Sequence, residues 1–219
     1  MKIGVLGTGM VGQAIGSKLV SLGHEVRMGS RQSGNERAVA WVARAGEAAS
    51  EGNFSDAAAF GELLFNCTSG GASLEVLEAA GSENLTGKIL VDVANPLDFS
   101  SGMPPTLSVC NDDSLGERIQ SACPETKVVK ALNTMNCAVM VDPARVPGEH
   151  VVFISGDDEG SKHEVSGLLE SFGWPPGRIH DLGGITAARG TEMYLPLWLS
   201  LYGGLGTGDF NIGVLRDEG

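Results

Sequence analysis

The chain has 219 residues, 42% hydrophobic and 19% charged, proportions that suit a globular protein long enough to bury a core. Its formal charge of −12 argues against a nucleic-acid partner, which would need a basic stripe, and the acidity reads as solubility in a cytoplasm. No apolar run approaches the roughly 20 residues of a membrane-spanning helix, no signal peptide is expected before "KIGVLG", and no membrane partner is expected.

The predicted elements alternate strand and helix. "KIGVLG" is a β-branched run ending in Gly7. Val11, Ile15, Leu19 and Leu22 then recur at helical spacing until Gly23 stops them. "HEVRMG" reads as the second strand and Asn35 to Ala45 as the second helix. Ser55 is the expected N-cap of "SDAAAFGELL". "LLFNCTS", "KILVDVANP" and "KVVKALNT" are three more apolar strands that end in small polar residues. Near-continuous apolar strands separated by helices predict a parallel sheet covered on both faces. The segment from Asn95 to Asp113, with "GMPPT" in it, is a candidate lid. Met135 to Glu149 reads as irregular. "HVVFISGDD" and "GRIHDLGG" read as strands around the helix "SKHEVSGLLESFG". Pro196 should break or restart the apolar helix "TAARGTEMYLPLWLSLYGG". The fold class is therefore α/β: a Rossmann-type, doubly wound, mostly parallel sheet with a small C-terminal helical part. Residues 1–150 form the dinucleotide-binding domain, and residues 151–219 complete the sheet and the second-substrate pocket. The apolar helix needs cover on several sides, from the monomer core or from a homodimer. Cys67, Cys110, Cys123 and Cys137 lack metal-ligand and redox spacing, so reduced thiols and no metal site are expected.

"GTGMVG" sets Gly7, Gly9 and Gly12 in G-x-G-x-x-G register, directly after a strand and at the opening of a helix. Gly7 suits the tight turn, Gly9 a close approach to a pyrophosphate, and Gly12 the packing of helix on strand. Thr8, Met10 and Val11 complete the phosphate-binding loop, whose N–H groups open the helix. At the end of the second strand, where an Asp or Glu would hold an adenosine ribose, the chain reads Gly29, Ser30, Arg31. Gly29 withholds a carboxylate that would repel a 2′-phosphate. Ser30 offers a hydroxyl and Arg31 a planar fork. The combination favours NADP over NAD.

Ligands of such sheets gather at the C-terminal strand ends, which places Thr68, Ser69, Asn95, Asn133 and Thr134 on the nicotinamide side. Their hydroxyls and amides can orient a carboxamide, and backbone groups can do the same work. Proton donors would be Lys130, His150, His163, His180 or Tyr194, yet none falls at a strand end facing the cleft. Lys130 reads as an edge residue of an apolar strand, and His163 as a solvated helix residue. With no catalytic acid or base in place, the chain looks equipped for hydride transfer between two small-molecule cofactors, which needs positioning above all.

These segments resemble the coenzyme F420-dependent NADP oxidoreductases over nearly the whole chain. The resemblance runs through "GTGMVGQAIGSKLVSLGHEVRMGSR", "VVKALNTM", "FISGDDEGSK", "DLGGITAARGTEMYLPL" and the terminal "NIG". It implies a deazaflavin, coenzyme F420, stacked on the nicotinamide, with Ser30 and Arg31 on the 2′-phosphate. "VVKALNT" and "DLGGITAAR" are also similar to the cytosolic NADPH-binding domain of transmembrane ferric reductases, which use a flavin. Archaeal F420 enzymes carry an apolar, Pro-containing strand end where this chain has "TSGGAS". The basic residue expected soon after Arg31 is replaced by "QSGNE", with Arg37 the next cation. Arg189 and Lys130 are candidates to hold the anionic tail of F420. Arg189 and Glu192, on the helix where 3-hydroxyacid dehydrogenases keep a catalytic Lys, read as an i, i+3 ion pair. A free flavin, a ferric chelate or a small imine remains an alternative acceptor, and an NADP sensor without turnover an alternative function.

Overall fold

The computed structural model describes residues 1–217. Its elements in chain order are β1 (Lys2–Leu6), α1 (Met10–Ser21), β2 (Glu25–Ser30), α2 (Glu36–Ala45), β3 (Ala49–Asn53), α3 (Phe54–Phe60), β4 (Leu63–Asn66), α4 (Ser73–Ala80), α5 (Ser82–Leu85) and β5 (Ile89–Asp92). There follow β6 (Leu97–Asp98), β7 (Thr106–Leu107), α6 (Leu115–Ala122), β8 (Lys127–Ala131), α7 (Cys137–Val141), β9 (Val152–Ser155), α8 (Glu159–Phe172), β10 (Ile179–Asp181), α9 (Ala188–Met193) and α10 (Leu195–Leu205). An eight-stranded sheet runs β10-β9-β8-β5-β4-β1-β2-β3. Within this sheet, among the described residues, only the β8–β9 pairing is antiparallel. The strand order reverses between β1 and β4, and there the first cleft of a doubly wound sheet opens.

Two apolar layers hold the sheet. Ile15 and Leu19 of α1, Trp41 of α2 and Leu169 and Phe172 of α8 pack on one face with Ile3, Val5 and Val129. Ala57 of α3, Leu77 of α4, Ile119 of α6 and Ala188 of α9 pack on the other with Leu6, Leu64 and Leu90. Each fully buried Ile or Leu contributes roughly 1.5–3 kcal/mol. Trp41 spans its layer without an orphaned donor, because its Nε1 donates to Ser17 Oγ at 3.0 Å.

Several local expectations change. Asn53, not Ser55, caps α3: its side chain accepts from the Asp56 N–H, and Asp56 Oδ2 accepts from the Asn53 N–H. β3, "ASEGN", is an extra strand with no apolar alternation, paired along one side only, to β2. Met135 to Glu149 contains the short helix α7. The 95–113 segment carries its own hairpin, β6–β7, and its Leu97 and Phe99 reach the cleft. Pro196 restarts the chain as α10 directly after α9, as expected. Of α10 only Leu195 is buried; Leu197, Tyr202 and Leu205 are exposed, so the monomer core does not cover this helix.

Candidate cofactor cleft

Two cavities lie side by side at the C-terminal strand ends and share Cys67, Thr68 and Ser69 as a common wall. The first, about 410 Å³, is bounded by Gly7, Thr8, Gly9, Ser30, Arg31 and Arg37, with Phe54, Ala72 and Val76 as an apolar floor. The second, about 500 Å³, is bounded by Met10, Val11, Asn95, Asn133, Met135 and Trp198 among others.

The glycine loop has the three expected properties. Gly7 sits at φ +118°, and a Cβ there would lie 2.7 Å from the Cys67 carbonyl oxygen. A Cβ on Gly9 would meet nothing, so the backbone is open to a ligand at that point. A Cβ on Gly12 would run into the Gly7 carbonyl oxygen. Gly9 is also the N-cap of α1, and no side chain caps that terminus. The first-turn N–H groups therefore remain for an anion. Gln13 steadies the loop by donating to the Thr8 carbonyl at 3.0 Å.

At the end of β2 the roles shift. A Cβ on Gly29 would point at Ala57 Cβ, 2.8 Å away, and not into the cavity. Close packing of α3 is what demands glycine here, and no acid fits. Ser30 faces the cavity, with its hydroxyl donating to the Gln32 carbonyl at 2.6 Å. Arg31 and Arg37 are both exposed at the cavity, and neither guanidinium has a partner among the described residues. Arg37 supplies the second cation that "QSGNE" lacked. Asn35 caps α2 by accepting from the N–H groups of Arg37 and Ala38, and Asn35 and Arg37 both line the cavity.

On the nicotinamide side the expected residues divide. Ser69 is exposed at the shared wall. The Thr68 hydroxyl is committed to Asn66 Oδ1 at 2.7 Å. Asn95 and Asn133 clamp each other: Asn133 Nδ2 donates to Asn95 Oδ1 at 2.9 Å, and Asn95 Nδ2 to the Asn133 carbonyl at 2.8 Å. They join the loops after β5 and β8 into one wall. Thr134 leaves the cleft. The chain turns at Leu132, φ +63°, and Thr134 lines a separate cavity beside Tyr194 and Phe153. The "TSGGAS" loop hugs the β5 loop so closely that a Cβ on Gly70 would collide with the Asn95 carbonyl oxygen.

A buried polar row was not expected. In the parallel register Asn66 pairs with Asp92, and Asp92 with Lys130, so all three lie side by side on one sheet face. Asn66 Nδ2 donates to Asp92 Oδ1 at 2.8 Å and to Ser73 Oγ at 3.0 Å. Lys130 Nζ lies 2.8 Å from Asp92 Oδ2 and 2.8 Å from Glu192 Oε1, and it also donates to the Ala94 carbonyl. Lys130 is 1% exposed and lies in the sheet interior, not at an edge. Burial pushes its ammonium down, but Asp92 and Glu192 more than offset this and hold it above the ordinary lysine range. Glu192 also accepts from the N–H groups of Leu115 and Gly116. Arg189 pairs instead with Glu117, through contacts of 2.8 and 2.6 Å. The expected Arg189–Glu192 pair is therefore absent, and neither Lys130 nor Arg189 is free for an anionic tail. Cys67 is buried at the shared wall, and burial, with Asp92 adding to it, pushes its thiol far up.

None of Lys130, His150, His163, His180 and Tyr194 lines either cavity. His150, for one, is held between the Pro143 carbonyl at 3.0 Å and Asn211 Nδ2 at 2.9 Å. Among the described residues no helix is long and apolar enough to cross a membrane, and no cluster of metal-ligating side chains occurs.

A glycine fingerprint at the switch point, an uncapped helix terminus and two arginines where a ribose phosphate would lie define a dinucleotide-binding protein of the NADP class. Residues 2–96 match the family model described as NADP oxidoreductase, coenzyme F420-dependent. A crystal structure from Arthrobacter sp. FB24, provisionally assigned as an F420-dependent NADP-reductase, is 51% identical, with a TM-score of 0.93 over 99% of this chain and 100% of that one. The F420-dependent NADP reductase of Methanocaldococcus jannaschii is 32% identical over 58% of this chain and 57% of its own length. The metalloreductase STEAP3 of Rattus norvegicus is 31% identical over 90% of this chain and 38% of its own. The chain thus spans less than two thirds of the length of both of these curated relatives. It belongs to the coenzyme F420-dependent NADP oxidoreductase family, and by family it is an NADP-dependent oxidoreductase.

Proposed function

We propose that this protein transfers hydride between NADP(H) and a deazaflavin, coenzyme F420. The observation that carries this reading is the pair of abutting cavities: one ends in Arg31 and Arg37, the other is apolar, and only Cys67 to Ser69 separate them. NADPH, when bound, supplies the hydride. The first cavity holds phosphates at the Gly9–Gly12 turn and at the two arginines. The second, walled by Met10, Met135, Leu195 and Trp198, suits a flat ring. No acid or base is needed at the ring, because a hydride carries both electrons and the further proton comes from solvent. The second cavity, about 500 Å³, is larger than a nicotinamide ring alone would fill, which argues against an NADP sensor without turnover. Purified protein should reduce NADP with reduced F420 and run the reverse reaction with NADPH; absence of turnover with both pairs saturating would refute the reading.

A free flavin or a ferric chelate is the second reading, favoured by the similarity to STEAP3. NADPH oxidation with FMN or a ferric chelate, and none with F420, would select it. The bare apolar face of α10 supports a homodimer, and a monomer in sedimentation at micromolar concentration would argue against one.

A further inference from the structure

The buried Lys130 has a contact beyond its ion pairs. Asp92 and Glu192 take two of the three ammonium N–H groups, and the third donates to the carbonyl of Ala94. Ala94 is not remote backbone, since Ala94 and Asn95 both wall the second cavity. The peptide that joins them is planar and trans, so its C=O and N–H point in opposite directions. With the carbonyl held toward Lys130 in the core, the Asn95 N–H is aimed away from it, toward the cavity. That N–H donates to no protein group among the described residues. The Asn95 side chain is fixed by Asn133 and its carbonyl accepts from Leu97 N, so neighbouring contacts resist rotation of the peptide.

We propose that Lys130 is a positioning residue for the cofactor: by holding the Ala94 carbonyl it presents the Asn95 N–H to the carboxamide oxygen of the nicotinamide. This role depends on NADP as the ligand and not on the identity of the acceptor, so it stands or falls apart from the F420 reading.

The test compares two ligands by titration without turnover. NADPH spans both cavities, whereas adenosine 2′,5′-bisphosphate reaches only the first. Asn95→Pro removes the N–H, and Asn95→Ala removes the side chain but keeps it. If the N–H is used, Asn95→Pro binds NADPH about 5- to 10-fold more weakly than Asn95→Ala, the equivalent of one hydrogen bond, while both bind the adenosine fragment alike. Lys130→Met should show the same selective loss for NADPH. Equal NADPH binding by the two Asn95 variants would overturn the proposal. So would a parallel loss of both ligands in Lys130→Met, which would make the lysine merely structural. Should Lys130→Met not fold, Glu192→Gln serves in its place: it keeps the ammonium at Ala94, so a selective loss of NADPH binding in that variant would also count against the assignment.

Discussion

Replacing Arg31 by Ala removes one of two unpartnered guanidinium groups at the first cavity. A hydrogen bond to a charged group contributes about 1.5–3 kcal/mol, and the exposure of Arg31 puts it at the lower end because water screens the pair. About 1.5 kcal/mol is roughly a tenfold loss of NADPH affinity. NADH, which lacks the phosphate, should bind the variant and the parent alike. Arg37→Ala should behave in the same way, and the double variant should approach a 100-fold loss if the two act independently. Titration of cofactor fluorescence with NADPH and NADH at two ionic strengths reads the effect, and salt should shrink it for the parent more than for the double variant. Equal losses for both cofactors would refute the assignment of these arginines to the phosphate.

The remaining expectations concern stability. Gly29→Ala should cost about 1–3 kcal/mol through overpacking against Ala57, with the NADPH-to-NADH ratio unchanged; a changed ratio in a fully stable variant would restore Gly29 as a cofactor selector. Lys130→Met strands Asp92 and Glu192 in the core and should cost about 3–5 kcal/mol in urea denaturation, and a loss under about 1 kcal/mol would mean the row is not a coupled unit. The Lys130 ammonium is held above the usual range, so its contribution is complete below about pH 10.4 and disappears as pH rises through the higher native value. Chiefly the Arg189 hydrogen bond holds the Glu117 carboxyl below its ordinary range, so that contribution is present above about pH 4.3 and falls away as pH drops through the lower native value. Glu117→Gln should flatten the acid limb of a stability–pH curve, and an unaltered limb would show that the α6–α9 pair is not what titrates.

How much of this was legible depended on how local the cause was. Gly7, Gly9 and Gly12 act within one turn of chain, and their spacing already contains their geometry. β4 (LLFN) and β5 (ILVD) are apolar in all but their last residue, which is what burial on both faces requires. β3 escaped because an edge strand of "ASEGN" has neither alternation nor an apolar run. Gly29 stood in the right place for the wrong reason, since only the packing of Ala57 reveals where a side chain would point. Lys130 read as an edge residue because its partner Asp92 lies 38 residues away and meets it only through register. Thr134 follows a strand end like its neighbours, but the left-handed turn at Leu132 sends it elsewhere, and no residue type announces that turn.

The charge distribution explains how so acidic a chain can accept a polyanion. Arg118, Arg145, Arg178 and Arg189 are each spent on a carboxylate, so the surface away from the cleft offers those cations to no ligand. Arg31 and Arg37 hold none, and they sit beside the uncapped terminus of α1, where backbone N–H groups add to the same local positive field. The second cavity has the opposite character: its lining contains no charged residue. Electrostatic selection is thus confined to the dinucleotide end, and the acceptor has to be chosen by shape and by ring contacts. Under the F420 reading, the anionic tail of that cofactor lies outside the cavity, where the net charge of −12 opposes it. Raising ionic strength should therefore weaken NADPH binding but leave the deazaflavin KM unchanged or lower it. A deazaflavin KM that rises with salt would show that cations outside the two cavities hold the tail.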